Sequence, residues 1–330
     1  MTAIHPPRSV SKACDMPRPD TNKRPIAAAA AVRRTLSGQQ GRIVSSHGRH
    51  YMVELANGSL KKCFPRGKKA GPAVGDFVEV TVQGEEGSIE RVLERRNLLF
   101  RSDEMRVKQF AANVDRLLIV VAVEPPFSED LVGRALVGAW NADIEPIIIL
   151  NKIDLPGTET TRKRLEVFTK LGIPVYETDA TDSESTRQTL LPLLRDHCSI
   201  LLGQSAMGKS TLLNALVPSA DAATQPHSEA LAAGKHTTTT TRLYHLPDGG
   251  DLIDSPGFQA FGLQHLDPED IQRGFPEFHE AIRECRFYNC SHRHEPGCGV
   301  LAALERGEIA PERHALYERL LAEYEARTQY

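Results

Sequence analysis

The residues whose types and spacing most directly suggest a chemistry run from Gly203 to Thr211, with an apolar run, residues 199–202, before them and a helix-like run, 212–217, after them. Strand, glycine-bounded loop and helix form the context in which the pattern G-x-x-x-x-G-K-[ST] binds phosphate, because backbone N–H groups point at anionic oxygens. We therefore predict a nucleoside triphosphate site in which Lys209 contacts the β- and γ-phosphates and Ser210 ligates Mg²⁺. The predicted contacts of the loop are Gly203, Gln204, Ser205, Ala206, Met207, Gly208, Lys209, Ser210 and Thr211.

A second motif, Asn151-Lys152-Ile153-Asp154, follows an apolar run that ends at Leu150. Ligands of open α/β sheets bind beyond the carboxyl ends of strands, which is where this motif falls. The Asp154 carboxylate can accept hydrogen bonds from N1–H and the exocyclic amine of guanine. Adenine lacks that donor pair and would leave the carboxylate unpaired, so we predict guanine specificity.

A third motif, residues 254–257, follows the apolar pair 252–253. Asp254 is predicted to hold the Mg²⁺ shell, and the Gly257 N–H to meet the γ-phosphate. The motif order is unusual, because an ordinary GTPase carries the phosphate loop before the Asn-Lys-x-Asp motif. A parallel sheet tolerates this permutation, since the site is built from strand ends and not from chain order.

The segment between the phosphate loop and Asp254 is polar and ends in a threonine run. We interpret it as a loop ordered by the γ-phosphate and Mg²⁺, in which Thr237, Thr238 or Thr239 completes the metal shell; a plain connector is the alternative. Many GTPases place a water-orienting Gln where this chain has Phe258, so intrinsic hydrolysis should be slow. His236 is the polar substitute and, with Lys209, the catalytic candidate, although an exposed structural histidine would look the same.

Near the C-terminus, three cysteines and a histidine form the pattern Cys285-x₄-Cys290-x-His292-x₅-Cys298. Their spacing fits a closed tetrahedral Cys₃His site, so we predict one structural Zn²⁺. His294 is a possible rival ligand, and buried free thiols are the alternative interpretation.

The elements that must position these motifs follow from hydrophobic periodicity. From Asp115 onward, the continuous apolar runs 116–123 and 146–150 alternate with helical patterns around 131–140 and 161–170, which is typical of a parallel α/β sheet. Residues 173–176, 190–194 and 199–202 are expected to continue the alternation, and residues 311–324 to form a packing helix.

Upstream, short β-like runs are separated by turn signals such as Asn57-Gly58 and predict an OB-type barrel. The basic segment Lys61–Lys69 favours nucleic-acid binding there, with a solvated loop as the alternative. The five runs are Arg42–Ser45, Tyr51–Leu55, Ser59–Phe64, Asp76–Val82 and Ser88–Leu93.

The chain has a net charge of −3 and contains no apolar run of the roughly 18 residues that a membrane span needs, so a cytoplasmic location is expected. Residues 1–37 hold seven basic side chains against two acidic ones and are expected to be a disordered arm, either a plain tail or an RNA contact. The predicted domains are this arm, an OB-type barrel at 38–100, a permuted P-loop GTPase α/β domain at 101–265 and a mainly helical zinc-binding domain at 266–330.

The ordered set of motifs resembles the ribosome small-subunit-dependent GTPase A family, the circularly permuted GTPases also called RsgA or YjeQ. The resemblance covers roughly residues 40–326 and includes the run from Gly234 to Thr239. It departs at Ala206-Met207, where the family usually has Gly-Val, and at Thr178-Asp179-Ala180, which only approximates the family's Ser-Ala segment near the base. We assign no base contacts there.

The resemblance implies a monomeric GTPase, with GTP or GDP, Mg²⁺ and one Zn²⁺, that acts late in assembly of the small ribosomal subunit. It further implies hydrolysis stimulated by that subunit, binding to 16S rRNA and release of an assembly factor. An RNA-binding module with a vestigial nucleotide site is the alternative, and a zinc-dependent hydrolase is a third. The intact nucleotide motifs argue against the second, and four protein ligands leave no open metal position for the third.

Overall fold

The computed structural model describes residues 39–67, 71–102, 107–218, 220, 240–255 and 262–328. The predicted basic arm at 1–37 therefore lies outside the described residues. Among the helices of the described ranges, none combines the length and apolar character needed to cross a bilayer.

The N-terminal strands close into a barrel in the order β1-β2-β3-β5-β4, with a β1–β4 pairing that joins the two ends. Inward-facing side chains such as Ile43, Val53 and Val78 are fully buried, as strand alternation requires. The prediction of an OB-type barrel is confirmed. Its strands are β1 (Gln40–His47), β2 (His50–Leu55), β3 (Leu60–Pro65), β4 (Phe77–Gln83) and β5 (Glu86–Val92).

A two-stranded hairpin that the sequence patterns did not predict connects the barrel to the α/β sheet. It consists of β6 (Leu98–Ser102) and β7 (Val107–Ala112). The hairpin positions the barrel, since Ala112 donates its N–H to the carbonyl of Val74 at 2.9 Å.

Five parallel strands form the α/β sheet, in the order β10-β9-β8-β11-β13, and β12 pairs antiparallel with β13. Residues 190–194, expected to continue the alternation, are the last turn of a helix. The strands are β8 (Arg116–Ala122), β9 (Glu145–Asn151), β10 (Val175–Thr178), β11 (Cys198–Leu202), β12 (Arg242–His245) and β13 (Asp251–Asp254). The helices are α1 (Glu129–Asn141), α2 (Thr158–Thr169), α3 (Ser183–Leu194) and α4 (Lys209–Leu216).

The barrel and the α/β sheet share one continuous sheet, because β12 also pairs antiparallel with β1. Both sides of β12 are thus occupied, which removes an exposed sheet edge.

The C-terminal region is mainly helical and packs against α1. An added Cβ at Gly133 of α1 would lie 2.4 Å from Leu316 Cδ2, so the two helices approach closely. Arg313 forms a buried ion pair with Glu277 at 2.6 Å, which ties the last helix to the 3₁₀ helix at Pro276–Phe278. The elements are α5 (Pro268–Arg273), a 3₁₀ helix (Pro276–Phe278), α6 (His279–Ile282), α7 (Gly299–Glu305) and α8 (Pro311–Thr328).

Candidate nucleotide site and metal centre

The Asn-Lys-x-Asp motif and the phosphate loop meet at the carboxyl edge of the sheet. Asn151 donates from Nδ2 to the main-chain carbonyl of Met207 at 3.0 Å. Lys152 donates from Nζ to the carbonyls of Ala206 at 2.9 Å and Glu124 at 2.8 Å. Segments some fifty residues apart in sequence are therefore in direct contact, as a single nucleotide site requires.

The side-chain oxygen of Asn151 also hydrogen-bonds within the protein. Its Oδ1 accepts a hydrogen bond from the Ala180 N–H at 3.0 Å and another from Thr178 Oγ1 at 3.3 Å, and the residue is 1% exposed. Asn151 thus holds the phosphate loop, its own motif and the end of β10 in one arrangement. Sequence reasoning had assigned no role to Thr178 or Ala180; their position at the end of the strand beside β9 is the signal that could have found them.

Asp154 lies in the turn after β9 with an exposed side chain, and Ile153 beside it is half-buried. Within the described part of the chain, the Asp154 carboxylate makes no hydrogen bond or ion pair. An unpaired carboxylate at the rim of the site is available to pair with the two adjacent donors of guanine.

Backbone geometry explains the glycines of the phosphate loop. A Cβ at Gly203 would lie 2.4 Å from the Val120 carbonyl oxygen. Gly208 has φ +91°, and a Cβ there would lie 2.1 Å from Asn151 Nδ2. Ala206 adopts the left-handed region with φ 65°, which costs a residue with a side chain about 1–2 kcal/mol.

Lys209 curls back over the loop and donates from Nζ to the carbonyls of Gly203 and Gln204, each at 2.7 Å. Burial lowers the pKa of Lys209, and the nearby charge of Asp254 opposes that effect. Burial also raises the pKa of Asp254 to about 6, against the opposing effect of Lys209. This mutual influence joins the third motif to the phosphate loop, and a bond from Ser255 Oγ to the Leu201 carbonyl at 2.6 Å holds β13 to β11 there.

The remaining loop residues surround this arrangement. Ser205 is exposed in the loop, and Ser210 and Thr211 are exposed in the first turn of α4, where their hydroxyl groups can reach a ligand. Gln204 accepts at Oε1 from the Ser128 N–H at 2.8 Å, which ties the loop to the N-cap residue of α1. The sequence patterns did not indicate this link between Ser128 and the loop.

Gly257, Phe258, His236 and the threonines Thr237, Thr238 and Thr239 all lie outside the described residues.

The predicted zinc ligands come together in one cluster. The ligand atoms of Cys285, Cys290, His292 and Cys298 all lie within 4.8 Å of one another. His292 Nδ1 is 3.5 Å from the sulfurs of Cys285 and Cys298, which are themselves 4.0 Å apart. Tetrahedral zinc with bonds near 2.3 Å requires sulfur–sulfur separations of about 3.8 Å, so the donor set fits Zn²⁺. His294, the rival ligand, is exposed and outside the cluster.

Two residues that sequence reasoning missed support this cluster. Glu295 accepts from the N–H groups of Ser291 at 2.7 Å and Arg293 at 3.2 Å. Burial disfavours its ionised form, yet hydrogen bonds outweigh burial and hold the pKa of Glu295 well below its usual range. His314 Nε2 lies 2.8 Å from the carbonyl oxygen of His292, which fixes that ligand's backbone.

Comparisons with known proteins agree with this geometry. The model of the RsgA GTPase family matches residues 92–264. A relative from Bordetella pertussis, named small ribosomal subunit biogenesis GTPase RsgA, is 67% identical over 294 residues, which is 88% of this chain and 98% of that protein. A relative of the same name from Burkholderia pseudomallei is 54% identical over 288 residues, covering 86% of this chain and 92% of the relative.

Solved structures give the same result. YjeQ from Thermotoga maritima matches with TM-score 0.66 and 32% identity, covering 87% of this chain and 98% of that one. YloQ, described as a circularly permuted GTPase, matches with TM-score 0.65 and 29% identity, covering 89% of this chain and 98% of that one. The chain therefore belongs to the RsgA GTPase family and is a circularly permuted GTPase.

Proposed function

We propose that this protein hydrolyses GTP during biogenesis of the small ribosomal subunit, as the names of its relatives suggest. The observation that carries the proposal is the meeting of the three motifs at one sheet edge, where Asn151 and Lys152 contact the phosphate loop and Ser255 holds the end of β13 against β11. We further propose that the protein acts as a monomer in the cytoplasm, that the subunit stimulates hydrolysis, and that hydrolysis promotes release of an assembly factor.

The charged and polar residues of the three motifs have separate proposed roles. Asp154 reads guanine, and Asn151 and Lys152 hold the base-reading turn against the phosphate loop. Lys209 would leave the carbonyls of Gly203 and Gln204 to bind the β- and γ-phosphates, whose negative charge favours its protonated form. Ser210 and Asp254 would hold Mg²⁺, which supplies charge neutralisation at the phosphate oxygens when it is bound.

The segments outside the described residues complete the proposed site. The Gly257 N–H would contact the γ-phosphate, and one of the threonines at 237–239 would join the metal shell. His236 would orient the attacking water in place of the Gln that many GTPases have at the position of Phe258.

We also propose that the barrel binds 16S rRNA. Phe64 is 38% exposed, and Lys62 Nζ lies 5.2 Å from its ring centroid, which suits stacking with bases. However, the basic segment carries paired charges: Lys61, Lys62 and Arg66 contact Glu85, Glu86 and Glu90 across β3 and β5. Such exposed pairs are weak and exchange readily for phosphate contacts.

We also propose that the Cys₃His cluster holds one structural Zn²⁺. Four protein ligands leave no open position for a substrate, and their surroundings are fixed by Glu295 and His314. The metal would stabilise the segment between α6 and α7, which has little other core.

GTP turnover measured with and without purified small subunits tests the proposed function. We expect subunits to raise turnover at least about tenfold, equal to about 1.4 kcal/mol of barrier. Lys209→Ala should abolish nucleotide binding, because it removes the phosphate-binding cation. The matched control is Lys163→Ala, an exposed lysine of α2, which should behave as the unmodified protein does. Equal turnover with and without subunits would contradict the proposal.

A further inference from the structure

The seam between the barrel and the GTPase sheet lies close to the nucleotide site. Ser45 of β1 is opposite Arg242 of β12, and Arg242 is opposite Asp254 of β13. Ser46 also donates its N–H to the Thr241 carbonyl at 3.3 Å. At about 4.8 Å between neighbouring strands, β1 is only about 10 Å from the strand that ends in the proposed metal carboxylate.

Four charged side chains bridge this seam at its other end. Arg42 of β1 pairs with Asp251 of β13. His245 of β12 lies with Nδ1 2.6 Å from Asp251 and with Nε2 2.8 Å from Glu54 of β2. The barrel and the GTPase sheet each contribute one cation and one anion, so the cluster is closed and neutral when His245 is protonated.

The cluster favours that protonated state. His245 lies between two carboxylates, and its hydrogen bond to Asp251 is the main cause that raises its pKa to about 9. The Arg42 guanidinium is also held inside the seam, reaching Cys198 Sγ of β11 at 3.3 Å and lying 5.2 Å from the Phe77 ring centroid. These contacts tie the barrel to three adjacent strands of the GTPase sheet.

The hairpin formed by β12 and β13 is placed to report nucleotide state. The first residue of the hairpin, Arg242, comes just after the segment that we expect the γ-phosphate to order. Its last residue, Asp254, lies opposite Arg242 and is the proposed metal carboxylate. If nucleotide exchange shifts Arg242 or Asp254, then His245 or Asp251 would shift with it, because each lies only three residues further along the same strand. Strands move as units, since their ladders resist local deformation.

We propose that Arg42, Glu54, His245 and Asp251 form a clamp that couples the position of the barrel to the nucleotide bound by the GTPase sheet. The inference deepens the proposed function, because it supplies the route by which GTP and GDP states would differ in their affinity for a subunit. Coupling is reciprocal, so a partner that binds the barrel changes nucleotide affinity by the same factor.

Hydrogen exchange of the full chain tests the clamp without any ribosomal partner. Exchange of the β1 amides, Ser46 above all, is compared between GDP and a non-hydrolysable GTP analogue. We expect the two states to differ at least about fivefold, the lower end of ordinary coupling between sites. In His245→Gln and in Glu54→Gln this difference should vanish from β1, while the nucleotide-dependent difference in the phosphate loop stays.

The matched control is Glu90→Gln, which weakens an ion pair with Arg66 on β5, a strand that does not pair with β1. It should keep the β1 difference. Equal β1 exchange in the two nucleotide states of the unmodified protein, or a difference that persists in both clamp variants, would overturn the clamp. If His245→Gln folds poorly, Glu54→Gln decides the test, because it preserves the side-chain shape at a partly exposed position of the barrel.

The same proteins separate this inference from the proposed function. If small subunits stimulate turnover but β1 exchange ignores the nucleotide, the clamp is wrong and the function stands. If β1 exchange follows the nucleotide and the clamp variants abolish that response, the clamp stands even when subunits leave turnover unchanged.

Discussion

At the scale of single residues, neighbouring positions of one motif have different tasks. Asn151 is 1% exposed, and its side-chain amide hydrogen-bonds to Met207, Ala180 and Thr178, so it organises the site. Asp154, three residues later, is exposed, and its carboxylate has no hydrogen-bond or ion-pair partner among the described residues. The first residue therefore sets geometry, and the second is the one available to select the base.

Asp154→Asn should change base preference from guanine to xanthine. The asparagine amide cannot accept from both guanine donors, and the mismatch leaves a polar group unpaired at a cost of about 1–3 kcal/mol, or roughly fivefold to 150-fold in affinity. Xanthine offers a carbonyl in place of the amine and matches the amide. Competition of GTP and XTP for the protein measures this, with Asp143→Asn as control, since Asp143 is an exposed turn residue with φ 53°. Unchanged preference would remove Asp154 from base reading.

At the scale of elements, β12 is the strand on which the two halves of the molecule depend. It is only four residues long, yet it pairs with β13 on one side and with β1 on the other. Its last residue, His245, carries charge across that junction. A short strand with both sides occupied transmits displacement well, because neither neighbour can move without changing its ladder.

The seam should weaken at alkaline pH. The pKa of His245 is raised from an ordinary 6.5 to about 9, so its contribution to stability is fully present below about pH 6.5 and is lost as pH rises through 9. Exchange of the Ser46 amide, corrected for its intrinsic pH dependence, should therefore accelerate between pH 7 and pH 10. His245→Gln should remove this dependence, and His279→Gln, at an exposed position of α6, should keep it. A pH-independent seam in the unmodified protein would argue against a charged His245.

At the scale of the whole molecule, the barrel and the GTPase sheet form one continuous sheet, whereas the helical C-terminal region packs by side chains. Gly133 and Leu316 bring α1 and α8 into close contact, and Arg134 pairs with Glu323 across the same interface. The metal cluster lies within this region, between α6 and α7, and not in the interface with the sheet. Its contribution should therefore be local.

Removal of the metal should loosen the C-terminal region and leave the rest folded. Structural zinc contributes on the order of 10 kcal/mol in small zinc domains, so loss of Zn²⁺ or the change Cys290→Ser should deprotect the amides of residues 285–305. Barrel and β8–β11 amides should keep their protection. Metal analysis should find one zinc per chain in the unmodified protein and in Cys63→Ala, and less in Cys290→Ser. Unchanged protection at 285–305 after metal loss would show that the cluster does not depend on zinc.

The sequence by itself determined the parts of this protein that depend on local chemistry. A phosphate loop needs Gly203 and Gly208 for its backbone, a zinc site needs closely spaced thiols, and β-alternation with turn signals is visible in short windows. These constraints act over a few residues, so the barrel, the parallel sheet, the permuted order and the metal cluster could all be predicted. The β6–β7 hairpin was missed.

Only the tertiary structure decided which distant groups meet. The partners of Asn151, the link from Gln204 to Ser128 and the pairing of β1 with β12 join residues that are 27 to 197 positions apart, and nothing in a short window encodes them. Hydrogen bonds and ion pairs of this kind depend on where whole strands stop and face one another. The chemistry of the site can therefore be inferred from the motifs, whereas its connection to the barrel depends on how distant strands pair in the folded protein.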